Sequence, residues 1–245
     1  MKNLMIIGLL VLSMTLSGHM MAQHTEKGQA PNHDQWTALL QKHVDAAGWV
    51  NYTGFVEDRD ALKIYLDLLQ KTPPGDHWSR EDKLAYYINV YNAYTVELIL
   101  QNYPLKSIKE INAPWNQKIV RLGEDELSLN DVEHEILRKM DEPRIHFAIN
   151  CASVSCPRLL NEAFTPNKLE AQLDQLTREF LNSDKNQYEG KKARISQIFK
   201  WFTKDFQVDG KKNVIGFINP YLETPLDPKT KIAYLEYDWN LNELR

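Results

Sequence analysis

One stretch constrains this fold more than any other: SREDKLAYYINVYNAYTVELILQNYP, from Ser79 to Pro104. It is apolar on nearly every side, and a helix with no polar face has to be surrounded by the rest of its chain. Ser79 with Asp82 three positions later imitates a capping box, with Asp in place of the usual Glu. Pro104 stops the helix near Asn102. The expectation is a long, central, buried helix. Asn89 and Asn92 sit inside it one turn apart, facing the same way. An unpaired buried amide costs about 1–3 kcal/mol, so each needs a partner. Either they bond loop backbone and fix the fold, or one orients an imidazole or binds a polar substrate. Both are candidate substrate-binding residues.

The remaining elements are read from periodicity. Helical spacing covers Trp36 to Val44 and, on the stripe Leu62, Tyr65, Leu66 and Leu69, Arg59 to Gln70. GWVNYTGF after Gly48 reads as extended. Lys118 to Leu122 reads as a strand turning at Gly123. Ser128 or Asn130 caps a helix carrying His134, Ile136 and Leu137. Arg144 to Asn150 alternates like a strand. Lys168 to Leu181 and Ile195 to Phe206 read as helices, Val214 to Leu222 as helix or strand, and KIAYLEYDWNLN as a closing strand. Helices outnumber scattered strands. The fold class expected is α+β: a single globular domain, helices predominating around a small sheet.

The 245-residue chain opens with one early lysine, Lys2, an apolar run from Leu4 to Leu16, and small residues near Ala22. That pattern reads as a secretory signal peptide over residues 1–22. The run is shorter than the roughly 20 residues of a membrane span, so no span is expected after cleavage. Residues 23–33 read as a disordered lead-in, and 34–245 as the domain. An apolar content of 43% argues against disorder. A net charge of −4 and the lack of a basic block point away from nucleic acid. Export, to a periplasmic or secreted location, puts the two cysteines where oxidation is permitted.

Both cysteines lie in HFAINCASVSCP, from His146 to Pro157. If Arg144–Asn150 is a strand, then Arg144, His146, Ala148 and Asn150 share a face that leads into Cys151. Asn150 thereby joins the candidate binding residues. A zinc site wants four ligands and a second cysteine pair, which the chain lacks; no metal and no cofactor are expected. A Cys151–Cys156 disulfide would close a small ring and contribute about 2 kcal/mol, fixing the loop rather than the fold. A nucleophilic thiol would need its pKa lowered. His134 or His146 could do that, as could a helix N-terminus if Cys156 is an N-cap with Pro157 behind it. No histidine follows Cys156, so a catalytic Cys–His pair would run His before Cys. The candidate catalytic residues are Cys151, Cys156, His134 and His146. Trp201, Phe202 and Trp239 read as core, and Asp205 and Asp238 as caps or as partners that orient a histidine.

Several ordered stretches resemble the DUF547 family, a domain of unknown function. YYINVYNAYTV resembles its F-W-I-N-x-Y-N-A-L-T helix, and NDVEHEILR its I-E-H-x-I-L-R helix. RIHFAINCASVSCPRL resembles H-F-A-x-N-C-x-S-x-x-C-P. KWFTKDF and LEYDWNLN resemble the later motifs. The resemblance runs from about Tyr86 to Asn242. It implies a fold and a set of site positions: Asn89, Asn92, His134, His146, Cys151, Cys156, Asp205 and Asp238. It implies no reaction.

Two functions follow as expectations, and a third, thiol-redox exchange, fits the C-x₄-C spacing less well than C-x-x-C would. The first is an exported domain with a Cys/His/Asn pocket that binds a small-molecule or peptide ligand, its cysteines disulfide-bonded. The second is a thiol-dependent hydrolase or acyl transferase with a cysteine nucleophile and a histidine base.

Overall fold

A computed structural model describes residues 30–244. The signal segment read over 1–22 lies outside the described residues. Of the lead-in read over 23–33, only 30–33 are described. There Pro31 and His33 are buried, and His33 Nδ1 lies 2.8 Å from the Tyr65 hydroxyl.

Four helices form the first half: α1 (Asp34–His43), α2 (Tyr52–Glu57), α3 (Arg59–Lys71) and α4 (Arg80–Asn102). The long helix α4 starts as its sequence requires. Ser79 Oγ accepts from the Asp82 N–H, and the Asp82 carboxylate accepts from the Ser79 N–H, each at 3.0 Å. From Leu84 to Leu100 every residue except Tyr87 is buried. The apolar stripe of α3 is buried against α1 and α4, each such side chain contributing about 1.5–3 kcal/mol by leaving water.

The strands are short and fall into separate small sheets. β1 (Val120–Leu122) and β2 (Asp125–Leu127) pair as a hairpin that turns at Gly123, whose φ of +60° suits glycine. After α5 (Leu169–Leu181), β3 (Gln187–Glu189) pairs antiparallel with β4 (Lys192–Ile195). Next come the short helix α6 (Ile198–Trp201), the hairpin β5–β6 (Gln207–Val208 and Lys211–Lys212), helix α7 (Val214–Ile218) and β7 (Lys231–Tyr234). β7 lies parallel to β4 and completes a three-stranded sheet. The architecture is α+β, with helices predominating.

Several local readings are corrected. Arg144–Asn150 is not a strand. Pro143 takes a first-turn position, Glu142 caps the Arg144 N–H, and Pro143–Phe147 forms a 3₁₀ helix. The alternation argument for a shared Arg144–His146–Asn150 face therefore fails, and residues 145–150 are all buried. GWVNYTGF is not extended: only Val50 makes a bridge, and Asn51 Oδ1 caps α2 through the Gly54 N–H. Ile195–Phe206 yields only α6, because Ile195 belongs to β4 and Thr203 Oγ1 bonds back to the Phe199 carbonyl at 2.6 Å. Cys156 caps no helix; residues 157–164 are irregular. The closing strand stops at Tyr234, and the chain beyond it runs irregularly to Leu244.

Candidate functional site: a thiol pair in an aromatic pocket

The two asparagines of α4 position the loop on which the cysteines lie. Asn92 donates to the Ala148 carbonyl at 3.0 Å and accepts from the Asn150 N–H at 2.8 Å. Asn89 does the same for Phe164, donating to its carbonyl at 2.8 Å and accepting from its N–H at 2.9 Å. Asn150 spans the loop itself: its amide donates to the Pro157 carbonyl at 2.6 Å and accepts from the Ala152 N–H at 2.8 Å. All three amides are buried. Their groups are spent on backbone, so these residues shape the site rather than line it with free donors.

Within this frame the chain turns tightly enough to hold Ala152 at φ +58°. The C-terminal segment locks the loop from outside: Val154 N–H donates to the Asn240 carbonyl, Ser155 N–H to the Asp238 carbonyl, and Asp238 N–H back to Ser155 Oγ. Asp238 is exposed and accepts from the Asn240 N–H at 2.9 Å, which is the local cap expected of it.

The sulfurs face each other. Cys151 Sγ and Cys156 Sγ are 2.8 Å apart, and the Cys151 N–H donates to Cys156 Sγ at 2.9 Å. A disulfide bond measures about 2.05 Å, so the expected disulfide is corrected here: both cysteines are free thiols. The loop brings the two sulfurs together without joining them. Cys151 Sγ also lies 3.2 Å from Ser153 Oγ and 3.4 Å from the Tyr237 hydroxyl. The two thiols are driven apart in acidity. Burial pushes Cys156 up, but hydrogen bonds from Cys151 outweigh it and hold Cys156 below an ordinary thiol. Cys151, bonded to Cys156 and buried, is pushed well up.

Neither histidine reaches a sulfur. His146 is buried, stacks on Phe202 with ring centroids 4.0 Å apart, and places Nε2 2.8 Å from Asp205 Oδ2. Burial lowers its pKa despite that carboxylate. Asp205 also takes Arg138 in a two-pronged ion pair at 2.6 and 2.7 Å. Of the two roles open to Asp205, it fills the orienting one. His134 Nδ1 accepts from Arg138 at 2.7 Å. Arginine can only donate, so the other nitrogen of a neutral His134 carries the proton. Burial and Arg138 hold His134 below its usual pKa.

What the sulfurs and imidazoles share is a cavity of about 300 Å³, at the small end for ligand pockets. Cys151, Cys156, His134 and His146 all line it. Its walls are Tyr91, Trp115, Trp201, Phe202, Tyr237 and Trp239. Trp201, Phe202 and Trp239, expected in the core, are therefore pocket walls; Trp201 is 46% exposed. Phe202 and Trp239 still pack against the core on one side, and each of the three presents part of its surface to the opening.

Several lining residues escaped sequence reasoning, among them Tyr91, Trp115, Tyr237 and, chemically the most telling, Glu133. It sits beside His134 in NDVEHEILR, on a π-helical turn from Asp131 to Ile136, a rare geometry that often marks functional positions. Burial, and then the nearby charge of Cys151, raise its carboxyl to about 7. Its hydrogen bond comes from the Tyr91 hydroxyl at 3.3 Å. The only signal in the sequence was a charged residue next to the chosen histidine. Among the described residues no group of three or more His, Cys, Asp or Glu side chains could hold a metal ion, and no helix is long and apolar enough to cross a membrane.

The fold and site thus define an α+β domain whose central helix clamps a two-cysteine loop beneath an aromatic pocket. The sequence over residues 75–181 matches the family model described as protein of unknown function, DUF547. The match covers α4, the π-helical turn, the cysteine loop and α5, and stops before Trp201, Asp205 and Tyr237. No curated protein and no solved structure matches the chain.

Proposed function

We propose that the pocket binds a small ring-bearing or apolar ligand and that the cysteine pair acts on it as a reversible dithiol. One observation carries this reading: two free sulfurs 2.8 Å apart on the wall of an open, aromatic cavity. Cys151 is the half-exposed member, and Cys156 the buried one. The chemistry is thiol–disulfide exchange with a small disulfide. Cys151 gives its proton to the Glu133 carboxylate, and its sulfur attacks one sulfur of the substrate. The substrate S–S bond breaks, and the leaving thiolate takes the proton from Glu133. Cys156 then gives its proton to the Glu133 carboxylate and attacks Cys151 Sγ, forming the Cys151–Cys156 bond and expelling the second thiolate, which takes that proton. The pair loses two electrons and the substrate gains them.

The hydrolase expectation is supported less well, because His134 and His146 are committed to Arg138 and Asp205 rather than to sulfur. An export segment over 1–22 would place the pair in an oxidising compartment; the N-terminus of the mature protein would report its removal.

The test is exposure of the reduced protein to hydroxyethyl disulfide, read by intact mass. Loss of two hydrogens is expected in the parent, and a trapped mixed disulfide on Cys151 in Cys156→Ser. Thiols that stay unmodified in both proteins would overturn the reading.

A further inference from the structure

The reading of this cavity as a ligand site leaves the ligand's chemistry open. We propose that the pocket selects an organic cation: an amine or quaternary ammonium group on a small ring or alkyl body. Three observations converge. The first is the lining: it holds one carboxyl group, Glu133, and no lysine or arginine. The cavity on the far side of the cysteine loop differs, since Arg158 and Lys185 line it together with Glu179 and Asp184.

The second is the aromatic rim. Trp201 lies 4.8 Å from Tyr237 and 5.7 Å from Trp239, and Trp115 lies 5.7 Å from Trp239. These rings come from separate parts of the chain and form one continuous cluster around the opening. The faces of such rings carry negative charge density and attract cations. The protein's own surface already responds: Lys109 Nζ sits 5.3 Å from the Trp239 ring centre.

The third is the carboxyl. Glu133 is 9% exposed, with a single long hydrogen bond from Tyr91. The nearest guanidinium, Arg138, is paired with Asp205 and leaves Glu133 without a counter-ion. The charged and titratable groups around Glu133 are Tyr91, Cys151, Arg138, Asp205 and the imidazoles of His134 and His146. An ammonium group entering between the rings would supply the missing charge. Because it favours the carboxylate, binding tightens as pH rises through the range where Glu133 ionises.

The experiment uses the Cys151→Ser/Cys156→Ser protein, in which thiol exchange is impossible, so that failure here and failure of the dithiol reading are told apart. Benzyltrimethylammonium, benzyl alcohol and benzoate are titrated against tryptophan fluorescence. Saturable binding of the cation is expected, with benzoate at least about tenfold weaker. Adding Trp201→Ala or Glu133→Gln weakens the cation by about tenfold. The tightening between pH 6 and 8 disappears with Glu133→Gln, which separates Glu133 from the histidines. Equal affinity for benzoate or benzyl alcohol, or no saturable response to the cation in a folded protein, overturns the proposal.

Discussion

Two groups of polar side chains near the cysteine loop are treated in opposite ways. Asn89 and Asn92 meet backbone N–H and C=O groups with both ends of each amide. Glu133 and Cys156 are buried and Cys151 is partly buried, yet Glu133 keeps a single hydrogen bond, the sulfurs bond chiefly to each other and to nearby hydroxyls, and all three open on a cavity. Full satisfaction marks a clamp, whose energy holds the loop in place. Partial satisfaction beside an opening marks groups that still have capacity for a ligand. The clamp makes the second arrangement possible, since close sulfurs persist only if the loop between them cannot relax.

The comparison is broken most forcefully at the clamp. Asn92→Leu keeps the size of the side chain but strands the Ala148 carbonyl and the Asn150 N–H in the core, and it should cost about 4 kcal/mol by urea unfolding. A loss below about 1 kcal/mol would mean that the amides are not what hold the loop. Glu133→Gln tests the other group and should have the opposite sign. Folding raises Glu133 from its ordinary 4.5 to about 7. Its protonated form is therefore favoured in the folded state, and stability that is full below about pH 4.5 is lost as pH rises through 7. The variant should be more stable than the parent at pH 8 by on the order of 2 kcal/mol, equal to it near pH 4, and slower in thiol exchange. Parallel stability profiles for the two proteins would show that Glu133 is not held protonated. The smallest effect belongs to Trp201→Ala. The ring is 46% exposed, so the melting midpoint should fall by no more than the equivalent of about 0.5 kcal/mol while ligand binding weakens. A large stability loss would return Trp201 to a structural role.

The readings from sequence succeeded where local physics decides alone. The capping box at Ser79, the stop at Pro104 and the apolar circumference of α4 were enough to place the central helix. The stripe of α3 and the spacing of α5 behaved likewise. The readings failed where a short apolar run had two possible states. Ile145, Phe147 and Ile149 alternate as in a strand, yet among the described residues no partner strand pairs with them, and Pro143 sets a helical turn instead. Trp201, Phe202 and Trp239 are as apolar as core residues; only the path of the C-terminal segment turns them into walls. For the site, the cysteines and both histidines do line one pocket, whereas the imidazoles bond to Arg138 and Asp205 instead of sulfur.

By itself the sequence determined the buried helix, the need of its two asparagines for partners, and the position of the cysteine loop, because each follows from spacing along one segment. Tertiary structure alone decided which groups meet across segments: Glu133 with Cys151, Asp205 with His146, and the tryptophan rim with the sulfurs. Those meetings depend on how distant pieces of chain pack, and a buried group's acidity depends on them in turn. No local pattern records either.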